Sequence, residues 1–204
     1  MKLHWSTRSP FVRKVMVTAH ELGLVDRLTL VRSVVAMTAP NEDVMRDNPL
    51  SRIPTLVLDD GTAYPDSSLI CEYLDHLAGG GKLFPGEPAR RFDALRRHAI
   101  GTGFLEISVL RRNERDRPPE RRSPPHLAAF ERKFAATLAA FEREVPTLSA
   151  LPIDIGHVAI ACALGYLDFR FTDEPWRTGR PDLSAWYERF AARPSMLATV
   201  PIDG

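Results

Sequence analysis

The 204-residue chain contains little cysteine and almost no net charge. Its two cysteines, Cys71 and Cys162, each lie in an apolar helical pattern without CxxC spacing, which argues against a disulfide framework and against a zinc site. We expect both to be buried, reduced thiols. Lysine and arginine total 27 against 26 aspartates and glutamates, a formal net charge of +1. No global field therefore points to nucleic acid or an anionic membrane as a partner.

Targeting segments and metal-ligand patterns are also missing. No stretch approaches the roughly 20 apolar residues of a membrane span. The first residues, Met1 to Trp5, lack the apolar core of a signal peptide, so we expect a cytoplasmic location. The histidines show no metal-ligand spacing, so we predict no metal site. Hydrophobic residues make up 44% of the chain, which is ample for one large domain or two small ones.

The most informative stretch runs from residue 48 to residue 74. Ile53-Pro54 opens an apolar run that we predict to be a strand over 55–58, and Asp59-Asp60-Gly61 supplies a turn into a second strand over 62–64. A cis Ile53-Pro54 bond would leave the N–H and C=O groups before the proline free for a ligand. Base rates favour trans, since only about 5–6% of X-Pro bonds in folded proteins are cis.

Three motifs in the first half of the chain resemble the glutathione-binding half of the glutathione S-transferase superfamily in their order and spacing. They are Ser9-Pro10-Phe11-Val12-Arg13-Lys14-Val15, Ile53-Pro54-Thr55-Leu56 and Asp66-Ser67-Ser68-Leu69-Ile70. The second half adds Asp154-Ile155-Gly156-His157, Asp182-Leu183-Ser184-Ala185-Trp186 and Arg193-Pro194-Ser195. The resemblance therefore covers nearly the whole chain.

The periodicity of the sequence is consistent with the α+β fold that this resemblance implies. We predict a strand over 2–5, a helix from Ser9-Pro10 to Gly23, a strand over 27–31, a loop or short helix over 38–46, the hairpin and a helix over 67–78. This βαβαββα order is the thioredoxin-like arrangement. We therefore expect a thioredoxin-like glutathione-binding domain over 1–78, a glycine- and proline-rich linker over 79–88, and an all-α helical-bundle domain over 89–204.

Three long helices are predicted in the second domain, over 89–111, 127–145 and 154–170. The last is strongly apolar, so we expect it to run through the domain centre. The arginine- and proline-rich segment from Arg111 to Pro125 is expected to be an exposed loop. Asp154 and His157 resemble the N-capping box of the family, with histidine in place of the usual second acidic residue. We assign them a role in folding.

Glutathione chemistry requires a thiolate, yet an unperturbed thiol with a pKa of about 8.5 is only roughly 3% ionised at pH 7. Ser9 precedes a helix, so its hydroxyl and the helix N-terminus are placed to stabilise the anion. The spacing alone favours a simple helix cap for Ser9, and the family resemblance favours a thiol contact. Thr7 is the alternative hydroxyl. Residues 1–10 contain no tyrosine or cysteine, which disfavours a tyrosine activator and a mixed disulfide on the protein.

The resemblance also implies contacts for the rest of glutathione. Ser67 and the adjacent amides would bind the γ-glutamyl carboxylate, and Asp66 would pair with the ammonium, where family members often have glutamate. The backbone of Ile53 would pair with the cysteinyl peptide, and Arg52 with the glycine carboxylate. The predicted glutathione-binding set is Ser9, Phe11, Arg52, Ile53, Pro54, Asp66 and Ser67.

An electrophile pocket is expected between the Ser9 loop and the helix over 89–111. Its predicted wall residues are Trp5, Phe11, Met37, Phe104, Ser108 and Arg111. Residues 111–122 contain six arginines and three acidic residues, a local charge of +3 (6 minus 3), which would attract anionic substrates if the loop were more than a solvated surface.

The resemblance implies a glutathione transferase that activates the glutathione thiol for attack on a small hydrophobic electrophile, with a role in detoxification. Glutathione is the co-substrate, and a homodimer without nucleic-acid or membrane partners is expected. Two alternatives remain open: a glutathione-dependent reductase, dehalogenase, etherase or isomerase using the same site, or a non-catalytic ligand-binding or regulatory protein with this fold. The identity of the electrophile does not follow from the sequence.

Overall fold

The computed structural model of the chain describes residues 1 to 203 and begins with a small mixed sheet. Its strands lie in the order β2-β1-β3-β4, with β1 parallel to β2 and antiparallel to β3, and with β3 and β4 forming a hairpin. The strands are β1 (Lys2–Trp5), β2 (Thr29–Arg32), β3 (Thr55–Val57) and β4 (Ala63–Tyr64). The helices between and after them are α1 (Pro10–Leu22), α2 (Glu42–Asp47) and α3 (Ser67–Leu77). The predicted thioredoxin-like βαβαββα order is confirmed.

Helix α1 begins and ends at the residues that the sequence predicts. Ser9 caps its N-terminus, Pro10 occupies the first helical position, and Gly23 ends it with a φ of 68°. Proline tolerates that first position because its missing N–H has no intrahelical acceptor there, and glycine adopts a left-handed φ at little cost. The apolar residues of α1 other than Phe11 are buried, so the helix is fixed within the core.

The second domain is entirely helical. Its helices are α4 (Pro88–Arg115), α5 (Pro124–Ala150), α6 (Ile155–Arg170), α7 (Pro181–Ala191) and α8 (Pro194–Leu197). All residues of α6 from Ile155 to Leu167 are buried, which confirms the central helix expected from its apolar sequence. Its N-terminus carries the predicted capping box, in which Asp154 accepts from the His157 N–H and the His157 side chain accepts from the Asp154 N–H. The predicted α+β fold with two such domains is therefore confirmed.

The prediction that residues 111–125 form an exposed loop is wrong for the first residues of that segment. Helix α4 continues to Arg115, and Arg111 and Glu114 are buried. Arg111 lies 4.5 Å from the centre of the Phe134 ring and pairs with Glu174 at 2.6 Å. Because the aromatic face and the carboxylate replace water around the guanidinium, the charge is tolerated inside the domain.

The two domains are joined through α1, which packs on α6 and α8. Arg13 donates to the carbonyl of Met196, and Arg193 forms two hydrogen bonds with Glu21, at 2.9 and 2.8 Å. The helix that follows Ser9 is therefore fixed by contacts on both sides of the domain boundary. Among residues 1–203, no helix combines the length and the apolar character that a membrane crossing requires.

Candidate functional site

Ser9 lies at the N-terminus of α1, half-buried and in extended conformation. Its Oγ accepts the Val12 N–H at 3.3 Å. The hydroxyl proton therefore remains available for a second acceptor, such as a sulfur anion. The first-turn N–H groups and the helix dipole add positive potential at the same point. Thr7 lies in the turn before α1 and is also half-buried.

The sheet register brings the Ile53-Pro54 segment next to this helix end. Thr55 of β3 pairs with His4 of β1, so the residues before Thr55 lie beside the end of β1 and the loop that leads to Ser9. Two hydrogen bonds of the Thr55 hydroxyl fix the segment. The hydroxyl donates to the Arg52 carbonyl at 2.8 Å and accepts from the Asn48 side chain at 3.0 Å.

The Ile53-Pro54 bond is cis, so the base-rate expectation of a trans bond does not hold for this chain. Pro54 is buried and Ile53 is partly buried. Within residues 1–203 the N–H and C=O of Ile53 have no hydrogen-bond partner. An extended peptide laid along this segment would therefore find one donor and one acceptor unoccupied.

The N-terminus of α3 lies on the same side of the sheet. Tyr64 pairs with Leu56, and the next residues, Pro65 and Asp66, lead the chain back past the start of β3. Asp66 caps α3 by accepting the N–H groups of Ser68 and Leu69 at 2.5 and 3.0 Å. The N–H of Ser67 has no acceptor in the described part of the chain, and a carboxylate is the group best suited to such a helix end.

The remaining predicted glutathione contacts flank these two helix ends. Arg52 is exposed and makes no ion pair within residues 1–203. Phe11, the second residue of α1, is half-buried. The structure thus brings Ser9, Phe11, Arg52, Ile53, Pro54, Asp66 and Ser67 to one edge of the first domain.

The residues predicted to form the electrophile pocket differ widely in their exposure. Trp5 ends β1 beside the Ser9 loop, while Met37 is 79% exposed in the loop before α2. Phe104 is buried against Phe134, with ring centres 4.8 Å apart. Ser108 is fully buried and donates to the Phe104 carbonyl at 2.7 Å, and Arg111 is held by Glu174 as described above. Phe104 and Ser108 therefore offer almost no accessible surface to a ligand.

Sequence reasoning missed a buried polar cluster at the domain boundary. Lys14 of α1 is fully buried and donates to His98 Nε2 at 3.0 Å and to Thr102 Oγ1 at 2.9 Å, both on α4. Burial lowers the pKa of Lys14, and burial together with the Lys14 charge lowers the pKa of His98 to about 3. Neutral His98 is therefore the acceptor. The sequence contained one signal of this cluster, namely a lysine within the apolar face of α1.

Within the described residues, no group of three or more histidine, cysteine, aspartate or glutamate side chains is arranged to hold a metal ion. Cys71 and Cys162 are buried free thiols, as predicted, and burial raises the pKa of both. Neither is a thiolate at neutral pH, so neither is suited to act as a nucleophile.

Comparison with known proteins places this geometry in a family. Residues 8–77 match the glutathione S-transferase N-terminal domain family, and residues 124–189 match the C-terminal domain family. An uncharacterised glutathione S-transferase-like protein of Escherichia coli K12, YibF, is 30% identical over 203 residues, 98% of each chain.

Two solved structures of a glutathione transferase family member from Pseudomonas fluorescens Pf-5 are also similar. The one with bound glutathione is 41% identical, covers 99% of each chain and superposes with a TM-score of 0.95. The one with bound S-(propanoic acid)-glutathione is 39% identical, covers 100% of each chain and has a TM-score of 0.91.

Proposed function

Since the chain belongs to the glutathione S-transferase family, we propose that it is a glutathione transferase that holds the glutathione thiol as a thiolate for attack on a small electrophile. The observation that carries the proposal is the free proton of Ser9 at the N-terminus of α1, beside the unpaired backbone of Ile53. The glutathione bound by the Pseudomonas relative supports it. We expect the enzyme to act in the cytoplasm, where glutathione is kept reduced.

The thiolate is stabilised by two features of α1. The Ser9 hydroxyl donates to the sulfur, and the helix N-terminus favours negative charge at the same point. Lowering a thiol pKa by two units requires only about 2.7 kcal/mol of preferential stabilisation of the anion. The thiolate then attacks the electrophilic atom, forming a carbon–sulfur bond while the leaving group departs with the bonding electrons.

The rest of glutathione is held along the edge of the first domain. The Ile53 N–H and C=O pair with the cysteinyl peptide. The N–H and hydroxyl of Ser67 bind the γ-glutamyl carboxylate, and Asp66 attracts its ammonium group. Arg52, which has no ion-pair partner in residues 1–203, binds the glycine carboxylate.

The electrophile pocket lies beside the Ser9 loop, with Trp5 and Phe11 as walls. The Pseudomonas relative binds a glutathione conjugate whose sulfur carries a propanoic acid group. This supports a pocket that accepts a short substituent ending in a carboxylate. We also propose that the protein is a homodimer, supported by apolar side chains exposed on α3 and α4.

The test is an ultraviolet titration of the thiolate of glutathione bound to the protein, repeated with Ser9→Ala and with Thr7→Val. We expect the parent to lower the pKa of the bound thiol by about two units from 8.5. Ser9→Ala should remove most of that shift and Thr7→Val should keep it, since Ser9 alone caps α1.

The two variants separate the possible outcomes. Loss of the shift only in Thr7→Val would transfer the role of thiol contact to that residue. Saturable glutathione binding with no thiolate signal in the parent would rule out thiol activation and favour a ligand-binding or regulatory protein with this fold.

A further inference from the structure

A second charged site lies where the C-terminal segment passes the end of α6. Arg170, the last residue of α6, forms two hydrogen bonds with the carboxylate of Asp203, at 2.7 and 3.0 Å. The Arg170 bonds lower the pKa of Asp203, and the nearby charges of Arg8 and Arg112 lower it further. We call Arg8, Arg112 and Arg170 the arginine cluster.

One member of the arginine cluster adjoins the proposed thiol contact in the chain. Arg8 immediately precedes Ser9, and Arg112 lies in the last turn of α4. The three arginines belong to the Ser9 loop, to α4 and to α6. The ends of α4 and α6 lie against each other, since Arg115 of α4 donates to the Arg170 carbonyl at 2.8 Å. The electrophile is expected to approach the sulfur beside that loop, so any negative charge on it would face the arginine cluster.

Two buried polar atoms near the C-terminal end of α6 have no hydrogen-bond partner in residues 1–203. They are the hydroxyl of Tyr166, a residue only 2% exposed, and Nε of Arg170 itself. Burial raises the pKa of Tyr166, whereas the positive charges of Arg112 and Arg170 oppose that rise, so the hydroxyl lies within their field. Native folds rarely leave buried polar groups unpaired, and those that remain are often reserved for function.

Asp203 itself is weakly held. Its side chain is 64% exposed, and the neighbouring Val200 and Ile202 are more than half exposed, so no apolar packing fixes the segment around it. Because water reaches the Asp203 carboxylate, the ion pair contributes little stability. A carboxylate from another molecule would replace it on Arg170 without disturbing the core.

We propose that the electrophile of this enzyme carries a carboxylate, which binds Arg170 in place of Asp203 with the Tyr166 hydroxyl as a further donor. The inference rests on the proposed transferase function and deepens it by specifying the substrate class. The carboxylate positions the substrate and takes no part in bond making. The thiolate displaces a leaving group from a carbon of the same molecule, and the leaving group departs with the electron pair.

The test compares two conjugates that differ in one group, S-(2-carboxyethyl)glutathione and its neutral analogue S-(2-carbamoylethyl)glutathione. Their dissociation constants are measured by calorimetry on the full chain. A bidentate, charge-assisted pair should make the acid bind about tenfold tighter than the amide. Arg170→Gln should reduce this ratio to about one. Arg177→Gln should preserve it, because Arg177 forms a similar pair with Asp168 outside the arginine cluster.

Two further variants separate a ligand site from a structural ion pair. Asp203→Asn removes the competing carboxylate and should tighten the acid about threefold while leaving the amide unchanged. Tyr166→Phe removes an unpaired buried hydroxyl, so it should leave thermal stability unchanged or raised while weakening the acid several-fold. A structural role for Tyr166 or Asp203 predicts no change in the ratio of the two dissociation constants.

The outcomes distinguish this inference from the proposed function. Equal affinity of the parent for acid and amide, with both bound, would overturn the carboxylate proposal and leave glutathione binding intact. Failure to bind either conjugate or glutathione itself would overturn the transferase proposal and this one with it. Should Arg170→Gln fail to fold, Tyr166→Phe and Asp203→Asn carry the test.

Discussion

Lys14 shows how one residue ties the proposed thiolate helix to the second domain. Its fully buried ammonium group has two partners, His98 and Thr102, and both lie on α4. A buried cation without partners would be expelled or neutralised, so these two contacts fix the depth at which α1 meets α4. Stability therefore depends on His98, whose ring must remain neutral to accept the hydrogen bond from Lys14.

His98 gives a prediction about acid stability. Its pKa is about 3 in the folded protein, against 6.5 for an unperturbed histidine side chain such as that of the unfolded chain. Because the folded value is the lower one, the unfolded chain binds the extra proton, and stability that is present above pH 6.5 is lost as the pH falls toward 3. We expect the free energy of unfolding to fall by up to about 1.4 kcal/mol per pH unit between pH 6 and pH 4.5 from this group.

The measurement is urea unfolding of the parent and of His98→Gln at several pH values in that window. The variant keeps a hydrogen-bond acceptor for Lys14 but cannot titrate, so its stability should depend less on pH than that of the parent. His126→Gln serves as the control, because His126 is exposed on α5. Parallel stability curves for the parent and His98→Gln would contradict the assignment of a neutral, buried His98.

At the scale of elements, α4 and α6 pack closely against each other, with Gly101 of α4 facing Ala159 of α6. A Cβ built on Gly101 of α4 would lie 2.9 Å from the Ala159 Cβ and 3.0 Å from the Ala159 carbonyl carbon on α6. Neither atom belongs to a flexible side chain, so both helices would have to separate. Gly103, two residues further along α4, has no atom within 4 Å of the same ideal position.

We expect a glycine-to-alanine substitution to have opposite effects on stability at these two positions. Gly103→Ala should raise the free energy of unfolding by about 0.5–1 kcal/mol, because alanine loses less backbone entropy in a helix than glycine. Gly101→Ala should lower it by about 1–3 kcal/mol through overpacking. Chemical denaturation of both variants is the measurement. A stabilising Gly101→Ala would show that α4 and α6 are further apart than these distances imply.

At the scale of the whole molecule, the exposed apolar residues of α3 and α4 form the surface at which we propose that a second copy binds. Phe92 of α4 is 71% exposed and Leu69 of α3 is 44% exposed. An ion pair between Arg91 and Glu72 joins the two helices beside them. Large apolar side chains grouped on one surface are typical of an interaction site.

We therefore expect the parent protein to have a solution mass of twice 22.9 kDa and Phe92→Glu to shift it toward the monomer. A charge placed in an apolar interface would be buried without a partner, which disfavours association strongly. Light scattering after size-exclusion chromatography is the measurement. Leu197→Glu, at a 61% exposed position on α8, is the control and should leave the mass unchanged. A parent that is monomeric at micromolar concentration would reject the interface.

Much of the fold was predictable because its signals are local. Ser9-Pro10 and Gly23 bound α1, Asp66 caps α3, and the Asp59-Asp60-Gly61 turn precedes β4. Each signal acts within a few residues and is independent of the rest of the chain. The extent of α4 was not predictable in this way, because its last turn depends on Arg111 meeting Phe134 and Glu174 from other parts of the chain.

The residues at the edge of the first domain that we propose binds glutathione were predictable, since the segments that form this edge carry recognisable motifs. The walls of the electrophile pocket were less predictable from the sequence, because the burial of a side chain depends on residues that are far away in the chain. Phe104 looked suitable for a pocket wall, yet α5 covers it with Phe134 and Phe141. The arginine cluster was missed altogether, since Arg8, Arg112, Arg170 and Asp203 are far apart in the chain.

The sequence by itself determined most of the secondary elements, their order, the capped starts of α1, α3 and α6, and the family to which the chain belongs, because caps, turns and apolar periodicity act over short distances. Only the tertiary structure decided which polar groups are buried together, as for Lys14 with His98, and which charges meet, as for Arg170 with Asp203. Electrostatic and hydrogen-bond energies depend on distances and on the exclusion of water, and both arise only when separate segments pack against each other.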